Sequence, residues 1–105
     1  SARVRSNKVS MARVIEDVCM SFNAMAEKKK VSLKKALQPG RDLWVDVDAS
    51  KIAIVVSNLL KNAIAFTNEG GEVVLRGEQQ PDYVKVTVKD TGVGIPAKDL
   101  PISSR

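Results

Sequence analysis

The sequence predicts an α+β fold, a two-layer α/β sandwich with helices packed on one face of a mixed, mostly antiparallel sheet. Three observations point there. Apolar residues recur at helical spacing in two stretches, residues 11–25 and 49–67. Short runs rich in valine and leucine lie between and after them, and one of these alternates strictly with polar residues. The order along the chain is helix, strand, strand, helix and then a hairpin.

Residues 1–7, SARVRSN, are polar and basic and read as a linker from a preceding helix. Ser10 is placed to cap a helix that starts at Met11. Met11, Val14, Ile15, Val18, Phe22 and Met25 share one face of it. EKKK, residues 27–30, should end it, because cations suit the carboxyl end of a helix dipole. VSLKKAL (31–37) reads as a strand, QPGRD (38–42) as a turn and LWVDV (43–47) as a short strand. Asp48 is a good cap for a helix over residues 49–67, whose stripe is Ile52, Val55, Val56, Leu59, Ala63 and Phe66. NEGG (68–71) supplies a stop and a turn. EVVLRGEQ (72–79) and YVKVTVKD (83–90) then form a hairpin. Val84, Val86 and Val88 should face the helices, with Lys85, Thr87 and Lys89 toward solvent.

A chain of 105 residues fits one domain of modest stability. No apolar run approaches the ~20 residues of a membrane span, and SARVRSNK has no apolar signal segment. Cys19 is the single cysteine, so it forms no internal disulfide and reads as a reduced core residue in a cytosolic protein. The net charge of +5 is uneven. Residues 1–35 hold nine Lys/Arg against three Asp/Glu, and residues 36–105 hold eight against nine. The aromatic residues Phe22, Trp44, Phe66 and Tyr83 do not interleave with this basic end, so no nucleic-acid partner is expected. Histidine is absent, which removes Ser-His-Asp and Cys-His catalysis by inventory. With one cysteine and no histidine, a zinc site is also not expected.

The chemistry lies in two stretches. Asn58 and Asn62 stand four residues apart in the second helix, so their side chains differ by only about 40° around its axis. They project together at the margin of the apolar stripe. A carboxamide oxygen is a neutral, hard ligand suited to Mg²⁺, and its NH₂ can donate to phosphate. Two amides that cap backbone or face solvent would look the same. In DTGVGIP (90–96), Gly92 and Gly94 permit close approach of the backbone to a flat ligand. Asp90 ends a strand, and a buried carboxylate there needs a donor such as the exocyclic amine of a nucleobase. Ile95 could wall the ring, and Pro96 stiffens the exit. A tight turn with a surface aspartate is the plainer alternative.

Taken together the stretches resemble one family. NLLKNAIAFT (58–67) is similar to the N box, and DTGVGIP to the first glycine box, of the ATP-binding domain of sensor histidine kinases. Gyrase, the Hsp90 chaperone and MutL belong to the wider superfamily. KVSMARVIEDVCMSFNAMAEKKKVSL resembles the family's first strand and helix, and DLWVDVDASKIAIVVSNLL its approach to the N box. The resemblance spans nearly all of residues 8–100 and implies a partial Bergerat fold. It implies that Asn62 coordinates Mg²⁺ and that Asn58 lies near the phosphates as the catalytic N-box residue. It implies that Asp90 reads the adenine amino group, that Gly92, Gly94 and Ile95 admit the nucleotide, and that Phe66 lies beside the adenine. The cofactors implied are ATP and Mg²⁺. The implied reaction moves the γ-phosphoryl group to a histidine on a separate dimerisation domain of the same kinase, which then serves a response regulator. The localisation implied is cytoplasmic, with or without a membrane anchor on the parent kinase.

Two departures from the family pattern carry expectations. Ala65 replaces a lysine that often precedes the N-box aromatic, with Lys61 one turn earlier as partial compensation. After IPAKDL the chain gives PISSR in place of the lid and second glycine box, so residues 8–105 read as the N-terminal portion of the domain. That ending is expected to leave a sheet edge uncovered beside residues 83–90 and to favour self-association through it. On this basis the isolated chain is expected to be inactive by itself. The rival reading is a degenerate, non-catalytic module acting by protein contact.

Overall fold

The computed structural model describes residues 7–91 and 98–103. Its elements are β1 (Asn7–Ser10), α1 (Met11–Lys29), β2 (Ser32–Ala36), β3 (Trp44–Val47), α2 (Ala49–Phe66), β4 (Glu72–Gln79), β5 (Tyr83–Asp90) and β6 (Lys98–Ser103). The four-stranded sheet runs β2-β4-β5-β6, and β1 and β3 form a separate antiparallel pair. Only β2 and β4 run parallel; β4-β5 and β5-β6 are antiparallel. Both helices pack on one face, as expected for the two-layer arrangement.

The start of α1 is built from its sequence and from one loop. Ser10 Oγ accepts from the Arg13 amide at 3.2 Å, as a capping serine should. The free amides of Met11 and Ala12 donate to the carbonyls of Leu43 and Asp42, both at 3.0 Å. Supplying that carbonyl bends the backbone of Leu43 to φ 58°, so the strand begins at Trp44 and not at Leu43. The Leu43 side chain is buried in return.

Val84, Val86 and Val88 on β5, with Val73 and Leu75 on β4, form the floor of the core. Met11, Ile15 and Val18 from α1 and Ile52, Val56, Leu60 and Ile64 from α2 cover it. Cys19 is half-buried beside this core, and burial pushes its thiol pKa up while the Lys35 charge opposes. The stripe of α2 differs from expectation: Val55 is 40% and Phe66 61% exposed, while Leu60 and Ile64 are fully buried. Ser50, Lys51, Ser57, Asn58, Lys61 and Asn62 gather on one side of this helix, but the apolar face they leave is broader than its contact with the sheet, so the pattern alone does not select the row at its centre. The sheet selects the row spaced by four, Ile52–Val56–Leu60–Ile64. By length and composition α2 could cross a membrane, at mean hydropathy 1.3 over 18 residues, but its apolar row is the core of this sandwich.

The far end corrects a second expectation. Residues 98–103 pair with β5 in register Tyr83↔Ser103 to Val88↔Lys98, so the edge expected to be open beside 83–90 is covered along residues 83–88. Alternation explains it: Leu100 and Ile102 turn inward, and Asp99 turns outward to accept a 2.9 Å bond from the Thr87 hydroxyl. Asn7, expected in the linker, already belongs to β1, opposite Val47.

Candidate functional site

The connection from α2 to β4 sets the geometry of the site. Asp48 caps the start of α2, accepting from the Ser50 and Lys51 amides at 3.0 and 3.2 Å. At the other end Thr67 is fully buried, and its hydroxyl donates to the Ala63 carbonyl at 2.7 Å. Residues 68–71 then turn the chain into β4. Gly70 donates to the Lys30 carbonyl at 2.8 Å and the Ser32 amide to the Gly71 carbonyl at 2.9 Å, which docks the turn on the end of α1 and the start of β2.

The start of β4 lies beside the end of β5. Val73 stands opposite Asp90 in the register. Beyond it, Thr91 and Glu72 exchange backbone and side-chain bonds: the Thr91 amide donates to the Glu72 carbonyl, and the Glu72 amide to Thr91 Oγ1, each at 3.0 Å. The loop of four residues therefore brings the carboxyl end of α2 and the carboxyl end of β5 to the same end of the molecule. Asp90 is half-buried there, at the last position of its strand.

Asn58, Asn62 and Phe66 share the exposed flank of α2, with Val55 on the same ridge. The helical spacing of four and seven residues aligns them. Asn58 and Asn62 both stand exposed. The ring of Phe66 is 61% exposed in a residue type that ordinarily seeks the core. Of the residues expected to admit the nucleotide, Gly92, Gly94 and Ile95 lie outside the described residues. Among the described residues no three His, Cys, Asp or Glu side chains cluster as a metal cage. An exposed carboxamide is a donor that Mg²⁺ accepts when phosphate and water fill its remaining positions. The residues present therefore fit Mg²⁺ held largely by a bound nucleotide.

Sequence reasoning missed two residues here. Thr91 fastens the end of β5, and it was visible only as the middle of the DTG triplet. Lys29 donates through Nζ to the Ile64 carbonyl at 2.9 Å and to the Ala65 carbonyl. No local signal identifies that contact, because 35 residues separate the partners. An open depression of about 370 Å³ on the other face of the sheet, lined by Arg76, Glu78, Lys85 and Thr87 among others, includes none of the expected site residues.

Comparison with known proteins agrees with this fold. Residues 47–105 match the family described as histidine kinase-, DNA gyrase B- and HSP90-like ATPases. The sensor histidine kinase RcsC of Escherichia coli K12 is 32% identical over 98 residues, covering 93% of this chain and 10% of that protein. The sensor histidine kinase WalK of Bacillus subtilis 168 is 39% identical over 64 residues, covering 59% of this chain and 10% of that protein. The chain thus spans about a tenth of the length of these relatives. Among solved structures, the nucleotide-free catalytic domain of histidine kinase ThkA superposes with a TM-score of 0.79 at 27% identity, over 87% of this chain and 62% of that one. ThkA in complex with the response regulator protein TrrA matches with the same TM-score of 0.79, over 89% of this chain and 28% of that one. The family match over residues 47–105, the 32% identity across 93% of the chain and the superposed fold agree on one conclusion: this chain belongs to the family of histidine kinase-, DNA gyrase B- and HSP90-like ATPases.

Proposed function

We propose that this chain is the N-terminal portion of the ATP-binding catalytic domain of a two-component sensor histidine kinase. One observation carries the reading. The exposed ridge Asn58–Asn62–Phe66 runs to the carboxyl end of α2, and the strand-ending Asp90 lies at that same end of the sandwich, although 24 positions separate Phe66 from Asp90. In this reading Asp90 accepts from the adenine amino group, and Phe66 offers its open ring face beside the base. Asn62 turns its carboxamide oxygen to Mg²⁺, and Asn58 lies along the phosphates. Bound Mg²⁺ supplies neutralisation of the charge on the phosphate oxygens.

The reaction breaks the bond between the γ-phosphorus and the β–γ bridging oxygen, leaving ADP, and forms a phosphorus–nitrogen bond on a histidine. This chain has no histidine, so the acceptor belongs to a dimerisation domain elsewhere in the kinase, which in turn serves a response regulator. Asn58 is a neutral amide and takes no proton from water, which suits transfer to histidine better than hydrolysis. What the chain contributes is position and electrostatics, the two terms that dominate phosphoryl transfer. The supply of ATP puts such a domain in the cytoplasm.

The test is a titration with Mg·ATP followed by amide NMR, beside an Asp90→Ala variant. Shifts should centre on Asn58, Asn62 and residues 90–95, and the variant should lose them. No shift in the wild-type chain at millimolar Mg·ATP would sink the reading.

A further inference from the structure

The last turn of α2 carries no basic residue of its own. Three of its last carbonyls, those of Ala63, Ile64 and Ala65, nonetheless have partners. Thr67 takes two of them, by its hydroxyl to Ala63 and by its amide to Ile64 at 3.2 Å. The remaining partner comes from another helix: Lys29, in the last turn of α1, donates to the carbonyls of Ile64 and Ala65. A cation at this end also opposes the partial negative charge of the helix dipole. Neighbouring Lys28 and Lys30 are exposed, and Lys30 instead pairs with Glu69 at 3.3 Å. One lysine of the KKK run is therefore set apart by its partners.

We propose that Lys29 is a positioning residue for the nucleotide. It clamps the carboxyl end of α2 and thereby fixes the directions of Phe66 and Asn62, which lie on that last turn and the one before it. Asn62 and Phe66 flank the two carbonyls that Lys29 holds. Their ridge is exposed, so the sheet packing that locks Leu60 and Ile64 does not orient their side chains. The clamp comes from α1, so the end of α1 and the N-box ridge move as one body. This inference rests on the nucleotide reading above.

The test compares the wild-type chain with Lys29→Met, Lys29→Arg and Ile15→Val. Methionine keeps an apolar stem and loses the donors, arginine keeps donors, and Ile15→Val perturbs the core of α1 away from the clamp. Each is read by the Kd for Mg·ATP and by amide exchange at Ala65, Phe66 and Thr67. Lys29→Met should weaken binding about three- to tenfold and speed exchange at those amides. Lys29→Arg should restore most of both, and Ile15→Val should leave the Kd unchanged. Wild-type affinity in a folded Lys29→Met chain overturns the proposal. So does an equal weakening in Ile15→Val, which would mark a general loss of stability. Absence of Mg·ATP binding by the wild-type chain overturns the nucleotide reading instead. The clamp is then decided by exchange alone, and unchanged exchange in Lys29→Met overturns it.

Discussion

At Gly77 a hydrogen stands where any other residue would carry a Cβ, and three side chains use the space. A Cβ there would lie 2.8 Å from Ile15 Cδ1, 2.9 Å from Leu43 Cδ1 and 3.3 Å from Leu37 Cδ2. The glycine lets the first helix and the loop before β3 close onto the middle of β4. Gly77→Val is expected to lower stability by about 1–3 kcal/mol through overpacking, read as a lower urea midpoint with unchanged slope. Gly77→Ala should cost less, because the atoms it meets are side-chain ends that can turn. The sequence shows a glycine inside a strand pattern, which signals close approach. It does not show what approaches, because Ile15, Leu37 and Leu43 are 34 to 62 positions away. The same limit hid Lys29, whereas Ser10 and Asp48 were legible as caps because their bonds span two or three residues.

Among the elements, the two helix ends differ in how much they depend on tertiary contact. The start of each helix has a local cap, a serine for α1 and an aspartate for α2, and α1 adds the Leu43 and Asp42 carbonyls of a distant loop. The end of α1 falls at Lys30, which sits in the left-handed region at φ 62° while its amide donates to the Ala26 and Glu27 carbonyls. Glycine is the residue that takes this position without steric penalty. Lys30→Gly is therefore expected to stabilise the chain by about 0.5–1 kcal/mol, seen as a melting temperature a few degrees higher. The ion pair it removes, Lys30–Glu69, is largely exposed and contributes little. An unchanged or lower melting temperature would show that Lys30 does more than end the helix. The end of α2 is the contrasting case. Its Thr67 is legible as a stop before NEGG, yet its clamp comes from α1.

For the whole molecule, the sheet has two outer edges among the described residues, at β2 and at β6. Each is blunted in a different way. β2 carries Lys34 and Lys35, and β6 carries Pro101, which lacks an N–H to offer a further strand. β6 in turn covers β5, whose valines would otherwise border an open ladder. A chain ending at residue 97 should therefore self-associate, with a mass above the monomer by light scattering at high concentration, and should unfold more easily. A truncated chain that stays monomeric and equally stable would show that β6 adds little. At this scale the position of the candidate site also becomes clear. The β4–β5 register and the turn at 68–71 bring the carboxyl ends of α2 and β5, which carry Phe66 and Asp90, to the same end of the sandwich.

What the amino-acid sequence determined by itself was everything governed by short range. That covers the caps at Ser10 and Asp48, the alternation of Val84, Val86 and Val88, the hairpin and the order of elements. It also covers the family, through the spacing of NLLKNAIAFT and DTGVGIP. Tertiary structure decided which part of the broad apolar face of α2 meets the sheet, leaving Val55 and Phe66 outside and Leu60 and Ile64 within. It decided that residues 98–103 complete the sheet, and that a lysine of one helix closes the end of another. The reason is common to these cases. A local pattern fixes the conformation of a segment. The choice among the apolar residues of one broad face, or among equally charged lysines, depends on partners that only the folded chain brings within hydrogen-bonding or van der Waals distance.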